Sequence, residues 1–344
     1  YDFNKIHMSK ISAAITAVGA YVPEFVLTNV MLEKMVDTND EWITTRTGIK
    51  ERRILKAEGK GTSFLAIKAA QDLIQKTNLD PTTIDLVLVA TATPDMKAAS
   101  TASYTATQIG ATNAFSYDMD AACSSFLFGM SSAASYIESG RYKKILLIGA
   151  DKMSSIINYK DRATCIIFGD GAGAVLFEPN DENLGLQDEY LRTDGSGREF
   201  LQATYGGSSY SITHEVLDNG GHYAFQEGRT VFKNAVSNMA DAAVKILERN
   251  NLTKDDIQWL AAHQANKRII DATAQRMNLE DSKVMMNIEK YGNTTSATLP
   301  LLLNDYEDQL KKGDNIIFAA FGGGFSWGAI HLKWAYTKHK TNLN

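Results

Sequence analysis

Apolar residues along the chain follow two different spacings. Nearly continuous apolar runs predict buried strands at 84–90, 144–150, 257–262 and 315–321. Apolar residues at helical spacing predict helices at 30–35, 63–75, 100–109, 126–137, 231–250, 268–277 and 295–310. Shorter runs predict strands at 11–18, 114–117, 164–168, 172–177, 284–287 and 327–334, whereas 178–223 is predicted to be irregular with short strands. The pattern is typical of an α/β protein.

The order of these elements occurs twice. Ala90 and Ile145 are separated by 55 positions and Ala262 and Ile316 by 54, and both intervals contain a helix that follows a polar turn. We therefore predict two copies of one unit packed about a pseudo-twofold axis, which would place Cys123 and Asn293 at equivalent helix starts. The expected halves are residues 8–180 and 181–336, with a polar tail at 337–344.

Composition limits the classes of function. The chain has 344 residues, 44% of them hydrophobic, and its net charge of −5 argues against general nucleic-acid binding. Two cysteines cannot build a disulfide framework and suit a reducing cytoplasm. We find no apolar run of membrane-spanning length, no leader sequence and no metal-ligand spacing. Residues 1–7 are expected to be a cloning remnant before a start at Met8.

Cys123 lies where a predicted strand turns into a predicted helix. The N–H groups and positive dipole at a helix start favour a thiolate, which would make this sulfur a nucleophile with a lowered pKa. The alternative is a small buried thiol, and the stretch itself does not decide between them. Cys165, in the middle of a predicted strand, is expected to be inert core.

Three other features lie at predicted strand ends. His263 follows the strand at 257–262, Asn293 precedes a helix, and Gly322–Gly324 follow the strand at 315–321. Each has a structural alternative: a histidine satisfied by its neighbours, a helix cap, or a simple turn. Four such features at strand ends of a duplicated fold predict one shared site, since ligand sites in α/β folds form at those ends.

Seven motifs carry a resemblance to a known family. They are Asp40–Ile43, Thr45–Ile49, Ala121–Ser124, Phe168–Ala174, His263–Asn266, Gly292–Thr294 and Phe321–Gly328. Over Met8–Trp334 the chain resembles β-ketoacyl-acyl carrier protein synthase III, the condensing enzyme that starts type II fatty-acid synthesis. The resemblance implies a thiolase-like fold, in which duplicated βαβαβαββ halves form a five-layered αβαβα sandwich, and a cytoplasmic homodimer.

The resemblance also implies a division of roles. Cys123 would take the primer acyl group from acyl-coenzyme A, while His263 and Asn293 would bind the thioester carbonyl of malonyl-acyl carrier protein during its decarboxylation. The backbone N–H groups of Cys123 and Gly323 would form the oxyanion hole. Coenzyme A would be bound by Trp42, Arg46, Arg162, Gly228, Asn266 and Phe321, and the carrier protein by Lys233 and Arg268. No cofactor is expected beyond the coenzyme A thioester.

Departures from the family pattern occur near the cysteine. Ala98 stands where the family often has an aromatic residue that limits the acyl pocket across the dimer, which would admit longer or branched primers. Asp120 replaces a commoner Asn or Ala, and Ser125 replaces a commoner Gly.

Rival assignments fit less well. A thiolase needs a second cysteine in the late glycine turn, and Gly322–Gly324 hold none. A hydroxymethylglutaryl-coenzyme A synthase needs a glutamate near the cysteine helix, and none occurs between Lys97 and Glu138. The other motifs of plant polyketide synthases fit this sequence poorly. The glycines at 169–173 precede a predicted strand, so they are not a dinucleotide fingerprint. A condensing enzyme of secondary metabolism (quinolone, polyketide or long-chain head-to-head type) and a silent carrier-protein-binding partner stay open.

Overall fold

The computed structural model describes residues 11–338, which form two main sheets and the helices around them. The strands are β1 Ser12–Tyr21, β2 Val26–Thr28, β3 Glu51–Arg53, β4 Leu86–Ala90, β5 Phe115–Met119, β6 Ile145–Lys152, β7 Asp170–Asn180, β8 Gly185–Thr193, β9 Leu201–Gln202, β10 Phe225–Gln226, β11 Trp259–Ala262, β12 Asn315–Gly322 and β13 Ser326–Lys333. The α-helices are α1 Asn29–Leu32, α2 Asp40–Thr47, α3 Thr62–Thr77, α4 Thr101–Ile109, α5 Ser125–Glu138, α6 Arg162–Cys165, α7 His214–Asp218, α8 Gly228–Arg249, α9 Lys267–Arg276, α10 Ile288–Tyr291 and α11 Thr298–Tyr306. The expected cloning remnant at 1–7 and residues 339–344 of the expected tail lie outside the described residues.

The two main sheets have the same strand order. In the first, β1-β7-β6-β4-β5, strand β4 is parallel to β5 and β6, and β7 is antiparallel to β6 and β1. In the second, β8-β13-β12-β11, strand β12 is parallel to β11 and antiparallel to β13, which in turn is antiparallel to β8. A parallel bridge from Leu260 to Val284 stands where β5 stands in the first sheet. The same topology therefore occurs twice.

Helices cover both sheets and fill the space between them. Helices α3 and α4 pack on the outer face of the first sheet, and α8 and α9 pack on the outer face of the second. Between the sheets lie α5 and α11, whose Phe126 and Leu299 join Phe318 in the central core. Apolar residues on nearly all sides explain why α5 carries no charge before Glu138. This is the predicted five-layered αβαβα arrangement of the thiolase-like fold.

The spacing of the two halves is close to constant. Ser12 and Gly185, Leu86 and Trp259, Ala122 and Thr295, and Ser125 and Thr298 begin corresponding elements, 173 positions apart in each case. Both short 3₁₀ helices that precede α5 and α11 begin with a left-handed residue, at φ 48° for Ala122 and φ 55° for Thr295.

This spacing corrects one prediction. The position equivalent to Cys123 is Ser296, whereas Asn293 lies before the corresponding turn and is not the counterpart of Cys123. Because Leu86 pairs with Ile145 and Trp259 pairs with Ile316, the strand register also makes Asp151 the counterpart of Gly322. The division between residues 180 and 181 stays a prediction.

A buried carboxylate joins the two halves. Asp151, at the end of β6, accepts hydrogen bonds from Thr91 Oγ1, Ala92 N and both N and Oγ1 of Thr93, at 2.8–3.0 Å. Its other oxygen accepts from Ser296 N at 3.0 Å and from Ser296 Oγ at 2.5 Å. A fully buried carboxylate needs such partners to offset its lost hydration. The start of α11 is thereby fixed against the first sheet.

Two predicted strands were wrong, and two other segments differ from the prediction in extent. Residues 164–168 are not a strand: Asp161 caps helix α6 through Ala163 N, and the buried Arg52 guanidinium donates to Ile166 O at 2.6 Å. The segment 178–223 contains β8, a nine-residue strand that pairs with β13. The sequence of β8 is largely polar, so it lacks the apolar pattern of a buried strand. Residues 284–287 form one bridge rather than a strand. The helix predicted at 295–310 ends at Tyr306. No helix in the described part of the chain has the length and apolar character needed to cross a membrane.

Close packing of α11 on the first sheet can be tested at Gly173. A Cβ atom at this position of β7 would lie 2.7–2.9 Å from three atoms of Pro300. We expect Gly173→Ala to lower the free energy of unfolding by about 1–3 kcal/mol, since overpacking forces helix and strand apart. Urea denaturation would measure the change. Gly207→Ala is the control, because nothing lies within 4 Å of a Cβ there; equal stability of the two variants would contradict the packing argument.

Candidate active site

One cavity of about 1300 Å³ is lined by residues of both halves. All but one of the predicted site residues line it, namely Trp42, Arg46, Cys123, Arg162, Gly228, His263, Asn266, Arg268, Asn293, Phe321 and Gly323. Lys233 is the exception; it is exposed on α8. The ends of β5 and β11 and the turn between α10 and α11 thus bring the sulfur, the imidazole and the carboxamide to one space; Asn293 follows a short helix rather than the predicted strand.

The turn that presents Cys123 is held by its own side chains. Ala122 takes the left-handed conformation, and Asp120 Oδ1 accepts a hydrogen bond from Ala122 N at 2.8 Å. Ser125 Oγ accepts from Ala121 N at 2.7 Å and donates to Ala122 O at 2.6 Å. The two departures from the family pattern, Asp120 and Ser125, therefore both stabilise this turn.

The glycine turn after β12 lies directly against the cysteine turn. A Cβ atom on Gly322 would lie 2.7 Å from Cys123 N and 3.1 Å from Ser124 N, so only glycine fits there. Ser326 Oγ donates to Ala121 O at 2.7 Å and fastens the two turns together. This contact places the backbone of Gly322–Gly324 beside the sulfur-bearing residue.

The pKa of Cys123, which the sequence left open, is dominated by burial rather than by the helix start. Cys123 is 8% exposed, and burial together with the nearby negative charge of Asp151 raises the pKa of its thiol to about 12. One helix start does not outweigh the loss of hydration of a thiolate. Cys165 is buried as expected, and burial raises its pKa to about 11.

His263 ends β11 as a buried, neutral side chain. Its backbone N–H donates to Ala319 O at 2.8 Å, which extends the pairing of β11 with β12 by one residue. Nδ1 lies 2.7 Å from Thr298 Oγ1, and Nε2 is buried with no hydrogen-bond partner within residues 11–338. Burial lowers the pKa of the imidazole to about 3. The structure thus supplies an uncharged imidazole with one nitrogen anchored and one available.

Asn293 has one end of its carboxamide fixed. Oδ1 accepts a hydrogen bond from Thr295 N at 2.8 Å, which assigns the oxygen and directs the NH₂ group to the remaining side. The backbone is held from both directions, because Asn293 N donates to Ile167 O at 2.9 Å and Gly169 N donates to Asn293 O at 3.0 Å. Asn293 therefore organises the turn before α11 and still offers two N–H donors.

Aromatic and basic side chains surround another part of the cavity. Trp42 is 37% exposed, with the guanidinium carbons of Arg162 and Arg46 5.1 and 5.9 Å from its ring centre. Asn266 caps α9 through Arg268 N and donates to Arg46 O at 3.1 Å, so both ends of its carboxamide are engaged. Gly228 begins α8, with open space where a Cβ would lie.

Three residues that shape the site were not identified from the sequence. Thr298 contacts His263, Thr295 orients Asn293, and Asp151 influences Cys123, yet none belongs to a quoted motif that names its role. The available signal for Thr298 was its position one helical turn after the polar stretch that begins at Asn293. Within residues 11–338 there is no group of three or more His, Cys, Asp or Glu side chains that could hold a metal ion.

Comparisons with known proteins agree with the resemblance that the sequence motifs carry. Residues 117–195 match the family model of 3-oxoacyl-[acyl-carrier-protein] synthase III, and residues 247–334 match the model of its C-terminal part. The β-ketoacyl-[acyl-carrier-protein] synthase III 2 of Bacteroides thetaiotaomicron is 58% identical over 97% of this chain and 99% of that protein.

Solved structures are similar over the same length. The 3-oxoacyl-[acyl-carrier-protein] synthase III of Aquifex aeolicus superposes with a TM-score of 0.86 at 39% identity, covering 94% of this chain and 100% of the other. A priming β-ketosynthase of a polyketide biosynthetic pathway gives a TM-score of 0.87 at 30% identity, covering 95% and 97%. With the motifs, the duplicated fold and near-complete coverage in agreement, this chain belongs to the β-ketoacyl-acyl carrier protein synthase III family of condensing acyltransferases.

Proposed function

We propose that this chain condenses an acyl-coenzyme A primer with malonyl-acyl carrier protein, releasing CO₂ and giving β-ketoacyl-acyl carrier protein. This is the initiating step of type II fatty-acid synthesis, and it would proceed in two half-reactions through an acyl-Cys123 intermediate. The observation that carries the proposal is the meeting of Cys123, His263 and Asn293 in one cavity.

In the first half-reaction, the Cys123 sulfur attacks the primer thioester carbonyl. The new sulfur–carbon bond forms as the bond to coenzyme A breaks, and the thiol proton leaves with the coenzyme A sulfur. Negative charge develops on the carbonyl oxygen in between. The backbone N–H groups of Cys123 and Gly323 would stabilise it, a role supported by the contact of the glycine turn with the cysteine turn.

In the second half-reaction, loss of CO₂ from the malonyl thioester leaves an enolate. His263 Nε2–H and the Asn293 NH₂ group would donate to its oxygen. With a pKa of about 3, the His263 imidazole is neutral at working pH. It therefore donates a hydrogen bond to the enolate oxygen without transferring a proton to the enolate carbon. The carbanion then attacks the acyl-Cys123 carbonyl and expels the Cys123 thiolate, which takes up a proton from solvent to restore the resting thiol. Phe321, 4% exposed in the cavity wall, would disfavour the malonyl carboxylate and keep water out.

Coenzyme A would enter beside Trp42. We propose that the adenine stacks between Trp42 and Arg162, with Arg46, Gly228 and Asn266 lining its path. The present separation of 5.1 Å leaves no room for a base, since each stacked layer needs about 3.4 Å. Arg162, held by a hydrogen bond to Asp37 O at 2.9 Å, would have to swing outward.

Carrier-protein binding would use the basic side of the entrance. Lys233 and Arg268 are exposed, and the Arg268 guanidinium lies 4.9 Å from the ring centre of Phe232. Such a cation beside an aromatic ring suits the acidic carrier protein. No cofactor is proposed beyond the thioester substrates.

We also propose a cytoplasmic homodimer. Strand β5 is an edge strand of the first sheet, and Phe115 on it is 39% exposed and packs with Tyr117, Tyr136 and Tyr142. An exposed aromatic edge strand invites pairing with a second copy. Two free cysteines, Cys123 and Cys165, suit a reducing compartment.

The division of labour predicts different losses in the two half-reactions. Cys123→Ala should abolish acylation by radiolabelled acyl-coenzyme A. His263→Ala or Asn293→Ala should keep acylation and slow malonyl decarboxylation by about 10²–10³-fold, the usual cost of one oxyanion donor. His214→Ala, on the surface, is the control. Equal loss of both half-reactions in Asn293→Ala would contradict these roles, and wild-type protein that takes no label from any primer would favour a silent binding partner.

The raised thiol pKa predicts a steep pH dependence of Cys123 reactivity. A pKa of about 12 lies above the working range, so the thiolate fraction should rise about tenfold per pH unit through pH 7–10. Iodoacetamide alkylation rates, followed by mass spectrometry of the Cys123 peptide, would measure this, with Cys123→Ser reporting Cys165 alone. A plateau below pH 9 would mean that the thiol is more acidic than its burial implies.

We propose that Ala98 affects which primers are accepted, although it does not line the cavity of its own chain. Ala98 lies on the exposed stretch 94–99, so it could act on primer choice only in the partner's site. We expect Ala98→Phe to reduce kcat/KM for longer or branched primers relative to acetyl-coenzyme A, by about tenfold or more. Ala57→Phe, also exposed, is the control. Wild-type turnover with acetyl-coenzyme A alone would end the idea that Ala98 widens the pocket.

A further inference from the structure

We propose that Thr298 is a positioning residue that sets the tautomer of His263: its hydroxyl donates to Nδ1 and so keeps the imidazole proton on Nε2, toward the cavity. The inference rests on the proposed role of His263 as a hydrogen-bond donor. A neutral imidazole carries one proton on either nitrogen, and only the Nε2–H form can donate to an oxyanion from that side.

The hydroxyl of Thr298 has one proton and two acceptors within reach. Nδ1 of His263 is 2.7 Å away, and Thr295 O is 3.1 Å away. Hydrogen bonds donated by hydroxyl groups have separations of about 2.5–3.0 Å, whereas those donated by N–H groups centre near 2.9–3.0 Å. The shorter contact therefore fits a hydroxyl donor to Nδ1, while the hydroxyl also lies within hydrogen-bonding distance of Thr295 O at the weaker separation of 3.1 Å.

The competing acceptor has another donor. Thr295 O already accepts a hydrogen bond from the backbone N–H of Thr298, which closes the short 3₁₀ helix. Nδ1 of His263, by contrast, has Thr298 Oγ1 as its partner within the described residues. Leaving a buried nitrogen lone pair unpaired costs about 1–3 kcal/mol, so the hydroxyl proton is needed more at Nδ1 than at Thr295 O.

The opposite arrangement would leave the site without its donor. If Nδ1–H donated to Thr298 Oγ1, then Nε2 would present a lone pair, buried and without a partner, where negative charge develops. A lone pair repels an enolate oxygen and would oppose the Asn293 donor. Burial keeps the pKa of His263 near 3, so a second proton would not restore Nε2–H at neutral pH.

One turn controls both donors. Thr295 N holds the Asn293 oxygen at 2.8 Å, and three residues later the Thr298 hydroxyl holds His263. Thr298 is 2% exposed and begins α11, where no side-chain cap is used, so its hydroxyl is not needed to start the helix. Valine has the same branched shape and lacks only the donor, which makes Thr298→Val a direct substitution.

NMR spectroscopy can observe the tautomer of His263 directly. Protein labelled with ¹⁵N in histidine side chains would be examined by long-range ¹H–¹⁵N correlation, and His263→Gln would assign the His263 signals. We expect wild-type protein and Thr298→Ser to have Nε2–H alone, and Thr298→Val to show Nδ1–H as well. Wild-type protein with the proton on Nδ1, or Thr298→Val with an unchanged spectrum, would overturn the proposal.

Kinetics provide the second readout. Thr298→Val should slow malonyl decarboxylation by about 10–100-fold, part of the loss caused by removing a donor outright, while acylation of Cys123 changes little. Thr298→Ser should restore the rate. If Thr298→Val fails to fold, Thr298→Ala serves instead, and a Thr298→Ser protein as slow as the valine variant would contradict the proposal. If the protein shows no condensation at all, the proposed function fails, but the spectrum still decides the tautomer.

Discussion

Six hydrogen bonds to the buried carboxylate of Asp151 fix the two halves of this chain relative to each other. Four link Asp151 to the loop after β4, and two reach Ser296 at the start of the helix that follows Asn293. The position of α11 follows from this contact, and with it the positions of Thr295 and Thr298. Because those residues hold Asn293 and His263, the geometry of both proposed donors depends on a side chain that does not line the cavity.

The same carboxylate also shapes the electrostatics of the site. Burial raises the pKa of Asp151 to about 6, so it is ionised at neutral pH, and its charge adds to burial in raising the Cys123 pKa. Burial also keeps His263 neutral. The resting site therefore holds a protonated thiol and neutral donors rather than an ion pair. Such a site is suited to stabilising negative charge that appears only during the reaction.

Much of this could be predicted from the sequence, for physical reasons that differ by element. Strands β4, β6 and β12 are buried on both faces, so their continuous apolar runs identified them, and α8 has a regular apolar stripe. Strand β8 was missed because it is half-exposed at a sheet edge. The supposed strand near Thr164 was overridden by a tertiary contact, the burial of Arg52 against Ile166 O.

The site was predictable as a set of residues but not as chemistry. Cys123, His263 and Asn293 follow from family motifs, whereas the Cys123 pKa depends first on burial and then on the nearby charge of Asp151 from another strand, which no local pattern reveals. The equivalence of Cys123 with Ser296 required the observed starts of the corresponding elements, because the sequence alone did not show where the two 3₁₀ helices begin. Thr298 required the contact to His263 itself.

The counterpart positions Gly322 and Asp151 suggest how one fold unit came to serve two purposes. Beside Cys123 the strand ends in glycine, and because a Cβ atom there would lie 2.7 Å from Cys123 N, no side chain occupies the space next to this N–H. Beside Ser296 the equivalent strand ends in aspartate, whose carboxylate accepts from the N–H of Ser296 at 3.0 Å. The turn at Ser296 thus binds a permanent internal anion supplied by the first half, whereas the turn at Cys123 meets only the backbone of Gly322.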